Sequence, residues 1–152
     1  MSYLLDVNVL IALVDSAHVR HDTANEWFDR EGRSGWATCP ITENGLVRIL
    51  SHPKYPNGSV APSELVAVLA GLAELRGHEF WPADISLRDA RWIDAGLMLT
   101  AGQVTDGYLL ALAVSKGGRL ATFDRRLSPK AVKDGAKGLH VISDPKSPPP
   151  HQ

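Results

Sequence analysis

Four acidic residues stand at positions where carboxylates could act together. Asp6 interrupts an apolar run near the N-terminus, and Asp124 directly follows a second apolar run. Glu43 and Asp106 each stand near the start of a segment with helical spacing of apolar residues. The types and places of these residues raise the question of whether they form one site.

A cluster of four carboxylates has a definite chemistry. Two unit charges about 4 Å apart repel by roughly 4 kcal/mol at an effective dielectric constant of about 20, so such a cluster needs a cation. Ligands that are all oxygen favour Mg²⁺ or Mn²⁺. The chain has one cysteine and no HxxEH motif, so a zinc site is not indicated. The cluster therefore predicts a Mg²⁺ or Mn²⁺ site.

The elements that must position these acids follow from apolar runs and from proline and glycine punctuation. Strands are predicted at 3–5, 36–38, 79–81, 119–123 and 139–142. Helices are predicted at 9–14, 25–30, from 40, from 62, at 87–97 and at 106–115, with Ser86 and Thr105 as N-caps of the last two. This alternation predicts an α/β fold, a three-layer α/β/α sandwich whose central sheet is mostly parallel with about five strands.

The predicted fold brings the four acids to one edge. Ligands of an open parallel sheet bind outside the carboxyl ends of its strands. Asp6 and Asp124 end strands, Glu43 follows a strand, and Asp106 opens the helix before the fourth strand. We therefore expect all four side chains to converge on that rim.

Length and composition indicate one domain. Of the 152 residues, 1–143 form the predicted domain, and 144–152 (DPKSPPPHQ) form a predicted disordered, proline-rich tail. The single cysteine, Cys39, is expected to be a small buried hydrophobe in a reducing compartment. With no signal peptide and no apolar stretch near the about 20 residues of a membrane span, we expect a cytoplasmic protein without membrane contact.

Basic residues concentrate near the last acid. Residues 116–140 contain seven basic and two acidic residues, although the net charge of the chain is −1. Arg125 and Arg126 directly follow Asp124, so they are candidates for binding the phosphates of a nucleic acid, with a surface or salt-bridge role as the alternative.

The sequence resembles a known family. The stretches 5–11 (LDVNVLI), 42–45 (TENG), 105–111 (TDGYLLA) and 122–125 (TFDR) look like the motifs of a PIN domain, in particular of the VapC-type toxins of bacterial toxin–antitoxin systems. The resemblance spans residues 3–142, and four such motifs in order are a specific signal.

The resemblance implies both a site and an activity. Asp6, Glu43, Asp106 and Asp124 match the acidic positions of the family, and Asn8 and Thr105 match its polar positions, which would orient the metal ligands. It implies an endoribonuclease dependent on Mg²⁺ or Mn²⁺ that leaves 5′-phosphate and 3′-hydroxyl ends and acts as a toxin. It leaves open whether tRNA, rRNA or mRNA is cut.

The resemblance also implies partners. A small VapB-type antitoxin would block the site and contact DNA on behalf of the pair, and the chain would form a homodimer.

Other interpretations remain for the same residues. Asp106 and Glu43 could favour helix N-termini, Asp124 could serve a turn, and Asn8 and Thr105 could be caps. An aspartyl-phosphate phosphatase needs a second acid at the position of Asn8, and a receiver domain needs an early acidic pair, so both fit poorly. A catalytically silent PIN fold that binds RNA or protein is the main non-enzymatic alternative.

Weaker signals lie elsewhere in the chain. His18 and His21 could bind a metal but more simply begin a helix, and Trp36 and Trp81 are expected in the core. The loop 51–59 could contact RNA or the antitoxin.

Overall fold

The core of the molecule is a five-stranded parallel sheet. The computed structural model describes residues 1–144, and the sheet has the order β3-β2-β1-β4-β5. Its strands are β1 Tyr3–Leu5, β2 Trp36–Thr38, β3 His78–Phe80, β4 Arg119–Thr122 and β5 Leu139–Val141. All four neighbouring pairs are parallel. The predicted strands are confirmed, with boundaries that differ by one residue in the last three.

Within residues 1–144, six helices pack around the sheet. They are α1 Val7–Val14, α2 His21–Arg30, α3 Pro40–Leu50, α4 Pro62–Ala73, α5 Gly102–Ser115 and the short α6 Gly135–Gly138. Successive residues of a strand point to opposite faces, so Leu5 packs with the apolar sides of α1 to α4 while Leu4 packs with α5. The three-layer α/β/α prediction is therefore confirmed.

The order of the strands creates a switch point beside β1. From β1 the chain proceeds outward to β2 and β3, then returns to place β4 and β5 on the other side of β1. The pairing of Leu5 with Ala121 brings the next residues, Asp6 and Thr122, side by side at the carboxyl edge. In such sheets the crevice at the switch point is where ligands bind.

Two helix starts follow local side-chain chemistry. Pro40 occupies the first turn of α3, where a missing N–H costs nothing, and Thr42 Oγ1 accepts from the Cys39 N–H at 3.0 Å. This start puts Glu43 in the first turn of α3, as predicted. Gly45 allows α3 to lie against α1, since a Cβ atom there would be 2.8 Å from Val7 Cγ2.

The predicted helix at 87–97 is wrong. Only Ala95–Leu97 form a single 3₁₀ turn in this segment. Ser86 Oγ, Asp89 Oδ1 and Asp94 Oδ1 each accept a backbone N–H two residues ahead, from Arg88, Arg91 and Gly96. Such short bonds compete with the helical ladder, and Ser86 therefore initiates a turn rather than a helix.

The predicted N-cap at Thr105 is also wrong, because α5 begins three residues earlier at Gly102. The amide oxygen of Gln103 accepts the N–H groups of Leu99 (2.6 Å) and Thr100 (3.1 Å), which stabilises the earlier start. The predicted end of the helix is confirmed, since α5 stops at Ser115 and Gly117 adopts a left-handed φ of 73°.

Several smaller expectations are settled by burial. Cys39, Trp36 and Trp81 lie in the core, as predicted. The loop 51–59 has no helix or strand. The predicted disordered tail lies outside the described residues, apart from Asp144. Among residues 1–144, no helix is both long and apolar enough to cross a membrane.

Candidate active site

Asp6 is a buried carboxylate at the switch point of the sheet. It follows β1 directly and caps α1, where its Oδ1 accepts the N–H of Val7 at 2.7 Å. Its side chain is only 7% exposed. Burial raises its pKa above the usual range, hydrogen bonds from Thr122 and Val7 oppose that rise, and Asp124 adds to it. An acid that costs this much to ionise is unusual for a purely structural cap.

The hydroxyl of Thr122 is hydrogen-bonded to Asp6, Asn8 and Asp124. This fully buried hydroxyl donates to Asp6 Oδ2 at 2.7 Å and accepts from Asn8 Nδ2 and from the Asp124 N–H, each at 3.1 Å. One donated and two accepted bonds use the full capacity of a hydroxyl. Sequence reasoning did not single out Thr122. The available signal was a hydroxyl residue two positions before the acid in the stretch TFD.

Asn8 contacts Thr122 and does not cap a helix, since Asp6 is the N-cap of α1. Besides its bond to Thr122, its Oδ1 accepts the N–H of Phe123 at 3.2 Å. These two bonds tie the first turn of α1 to the end of β4. Asn8 therefore helps to hold the segments that carry Asp6 and Asp124, and its role in orienting metal ligands stays a prediction.

Asp106 and Asp124 complete a group of three aspartates. Asp124 follows β4, and Asp106 lies in α5, which packs against β4 and β1. Burial and the charges of Asp6 and Asp124 raise the pKa of Asp106 to about 6. Asp106 is thus close enough to both acids to feel their charge, and the structure brings these three predicted residues together.

Glu43 is held by the end of β2. Its Oε2 accepts from Thr38 Oγ1 at 2.6 Å, and Thr38 Oγ1 also lies 2.8 Å from His78 Nε2. Because the single hydroxyl hydrogen of Thr38 goes to Glu43, His78 Nε2 must carry the proton in that second bond. Glu43 also lines a groove between α3 and α4. The convergence of Glu43 with the three aspartates stays a prediction.

The remaining predicted residues take different places. Thr105 is exposed and, within residues 1–144, has no side-chain hydrogen bond, so its predicted orienting role finds no support in these contacts. Arg125 and Arg126 are exposed beside Asp124, in a cleft considered below. His18 Nδ1 accepts the Arg20 N–H, and His21 Nδ1 lies 2.8 Å from the Ala12 carbonyl oxygen, so both histidines serve the backbone.

The three aspartates fit a hard divalent cation by their chemistry. All potential donors are carboxylate oxygens, and burial together with the charges of Asp6 and Asp124 raises the pKa of Asp106, so a cation there would stabilise its ionised form. No group of three acidic, histidine or cysteine side chains within residues 1–144 is arranged as a ready metal site. Ligation of one ion by all three aspartates therefore needs side-chain rotation.

This arrangement predicts an unusual pH dependence of stability in the absence of metal. The pKa of Asp106 is about 6 in the folded chain and 3.8 ordinarily, so the folded state favours the protonated form. Its stabilising contribution is full below pH 3.8 and is lost as pH rises through about 6. We expect thermal denaturation in EDTA to show this loss, and Mg²⁺ to raise Tm more at neutral than at acidic pH.

Asp106→Asn isolates this contribution from those of other titrating groups. The variant should show a flatter dependence of Tm on pH between about 4 and 7, and a smaller rise in Tm with Mg²⁺. Identical pH profiles for the variant and the parent protein would contradict the assignment.

Comparison with known proteins identifies the class that this fold and site define. The PIN domain family matches residues 3–133, and the chain belongs to that family. Within it, the chain is 44% identical over 143 residues to ribonuclease VapC44 of Mycobacterium tuberculosis (strain ATCC 25618 / H37Rv), which covers 94% of this chain and 99% of the relative. It is 46% identical over 131 residues to ribonuclease VapC39 of the same organism, covering 86% and 94%. The resemblance to VapC-type PIN domains is thus confirmed.

Proposed function

We propose that this chain is a Mg²⁺- or Mn²⁺-dependent endoribonuclease and the toxin of a toxin–antitoxin pair. The observation that carries the proposal is the grouping of Asp6, Asp106 and Asp124 at the switch point of the sheet, in a chain related to VapC ribonucleases. PIN-domain ribonucleases generally depend on a divalent metal. The identity of the ion and the roles of individual residues are our assignments.

Asp6 and Asp106 are the central ligands in this proposal, and Asp124 completes the group. A bound divalent cation supplies an activated water near neutral pH and neutralises charge that develops on the phosphate. Thr122 holds Asp6 in one orientation through a donated hydrogen bond of 2.7 Å, and the Asp124 N–H is bound to the same hydroxyl. These bonds fix the carboxylate of Asp6 and the backbone of Asp124 in advance, so little reorganisation is needed when RNA arrives.

Glu43 has a more peripheral role. One of its oxygens is held by Thr38, so the orientation of its carboxylate is also fixed before substrate binds. We assign Glu43 to orienting water at the edge of the site rather than to direct central ligation.

The substrate and partners follow from the resemblance and from the names of the relatives. We propose RNA as substrate, a VapB-type antitoxin as protein partner, a homodimer as the assembled state, and the cytoplasm as location. DNA would be contacted only through the antitoxin. A small open reading frame directly upstream of the gene is the simplest check of the antitoxin pairing, and its absence would remove that part of the proposal only.

Cleavage of total RNA by the purified protein tests the enzymatic proposal. We expect fragments with Mg²⁺ or Mn²⁺ and none with EDTA, because three carboxylates without a cation repel the phosphate. Asp106→Asn should lose the activity, whereas the matched Asp22→Asn, at an exposed position of α2, should keep it. Sequencing of the fragment ends would then identify the RNA that is cut.

Two results would contradict the proposal. Equal fragments from the parent protein and Asp106→Asn would point to a contaminating nuclease. Binding of RNA without any product, at every metal concentration and with individual structured RNAs, would favour the silent binding module.

A further inference from the structure

A cleft with three arginines opens beside Asp124. Its volume is about 440 Å³, and its lining consists of Asn8, Arg20, Phe123, Asp124, Arg125 and Arg126. The chain as a whole has a net charge of −1, so three guanidinium groups around one cleft are a local excess of positive charge. Asp124 belongs both to this cleft and to the group of aspartates, so a ligand of the cleft would lie next to the candidate active site.

Arg20 lies at the start of α2 and packs over an aromatic ring. Its backbone N–H donates to His18 Nδ1 at 3.0 Å, and its carbonyl accepts the Ala24 N–H at 2.9 Å. Its guanidinium carbon lies 5.0 Å from the centre of the Phe123 ring. Such a cation–π contact leaves the N–H groups of the guanidinium available, and their planar fork suits a phosphate.

An anionic group already contacts this edge. Arg20 Nε lies 3.4 Å from Asp144 Oδ1, and the two side chains are 38% and 41% exposed. An exposed ion pair of this length is weak and readily exchanged. Arg125 and Arg126 form no ion pair within residues 1–144. The cleft thus combines one stacked cation, which already contacts a carboxylate, with two further cations.

The active site itself creates a need for such a cleft. Asp6, Asp106 and Asp124 repel an approaching RNA strand, and a cation that binds the scissile phosphate attracts the neighbouring phosphates less strongly because they lie farther from it. Charge-assisted bonds from arginine to an adjacent phosphate would offset that repulsion and set the register of the strand.

We propose that Arg20, together with Arg125 and Arg126, binds a backbone phosphate of single-stranded RNA next to the cleaved linkage, and that Asp144 occupies Arg20 when no RNA is bound. The proposal rests on the proposed ribonuclease function for its choice of ligand. Arg20 is a binding residue in this scheme, and it takes no part in bond cleavage.

Binding of a short fluorescein-labelled single-stranded RNA, followed by anisotropy at several salt concentrations, tests the cleft. All variants carry Asp6→Asn to prevent cleavage. Arg20→Gln should weaken binding about tenfold, and should make the plot of log K against log salt shallower by about 0.7. Asp144→Asn should tighten binding. The matched control is Arg30→Gln, at the exposed other end of α2, which should leave affinity and slope unchanged.

Several outcomes would overturn the proposal. They are equal effects of Arg20→Gln and Arg30→Gln, an unchanged salt slope, and no RNA binding by the Asp6→Asn parent. Inorganic phosphate and unlabelled RNA are compared as competitors at the same concentration of phosphate groups. If inorganic phosphate displaces the labelled RNA equally well, the cleft binds a free anion instead. Arg20→Lys, which keeps the charge without the planar fork, should show an intermediate loss, and thermal denaturation should show that each variant is folded.

The proposal for the cleft and the proposal for ribonuclease activity can be disproved independently. If the protein cuts RNA with Mg²⁺ while Arg20→Gln changes neither KM nor the salt slope, the cleft is wrong and the nuclease stands. If binding depends on Arg20 but the protein never cuts RNA, the nuclease is wrong and the cleft stands.

Discussion

Replacement of Asp6 by asparagine is expected to reduce RNA cleavage at least about 100-fold while the protein stays folded. The substitution keeps the size of the side chain but removes the charge that a divalent cation requires. Asp6 is the most deeply buried of the four acids and is fixed by bonds to Val7 and Thr122, so no neighbouring carboxylate can take its place. Single-turnover cleavage at saturating Mg²⁺ measures the loss.

The stability of Asp6→Asn should change by no more than about 1 kcal/mol. Asparagine has a single oxygen, so one of the two accepted bonds is lost, but the cost of burying a charge and its repulsion with Asp124 disappear. Chemical denaturation measures the free energy of unfolding, and Asp22→Asn, the same substitution at an exposed position, is the control. A variant that stays folded and keeps more than about a tenth of the parent rate would exclude Asp6 as a central ligand.

The fold was accessible from the sequence because its signals are local. Short apolar runs predict β1, β2 and β4, the last two preceded by glycine, and Pro40 and Pro62 predict the starts of α3 and α4. The segment 87–97 misled because the spacing of Ala90, Ile93 and Leu97 resembles a helix, whereas Ser86, Asp89 and Asp94 bind the backbone locally. The spacing of apolar residues gives no information about this competition between side-chain and helical hydrogen bonds.

The candidate site was accessible only in part. Asp6 and Asp124 end neighbouring strands, so their proximity follows from the topology of a parallel sheet. The orientation of Glu43 depends on a bond from Thr38 on β2, and the role of Thr122 depends on a residue 116 positions away. Threonine is common in strands for its branched shape, so neither hydroxyl stands out in a sequence.

The second large effect is expected for Thr122→Val. Valine has nearly the same shape, but it removes the donor to Asp6 and the acceptor for Asn8 and the Asp124 N–H. Cleavage should fall about 10- to 100-fold, as for residues that orient metal ligands. The free energy of unfolding should drop by about 1–3 kcal/mol, since buried polar groups lose their partner. Cleavage rates across a Mg²⁺ titration, together with chemical denaturation, measure both effects.

Two further variants separate positioning from general destabilisation. Thr122→Ser keeps the hydroxyl and should restore most of the cleavage rate and the Mg²⁺ dependence. Ile142→Val, in the same core region, should cost about 1 kcal/mol of stability through a lost methylene and leave cleavage unchanged. If Thr122→Val lowers stability but needs no more Mg²⁺ than Ile142→Val, the hydroxyl serves packing alone. If only Thr122→Val raises the Mg²⁺ requirement, the charge of Asp6 depends for its position on a hydroxyl from the neighbouring strand.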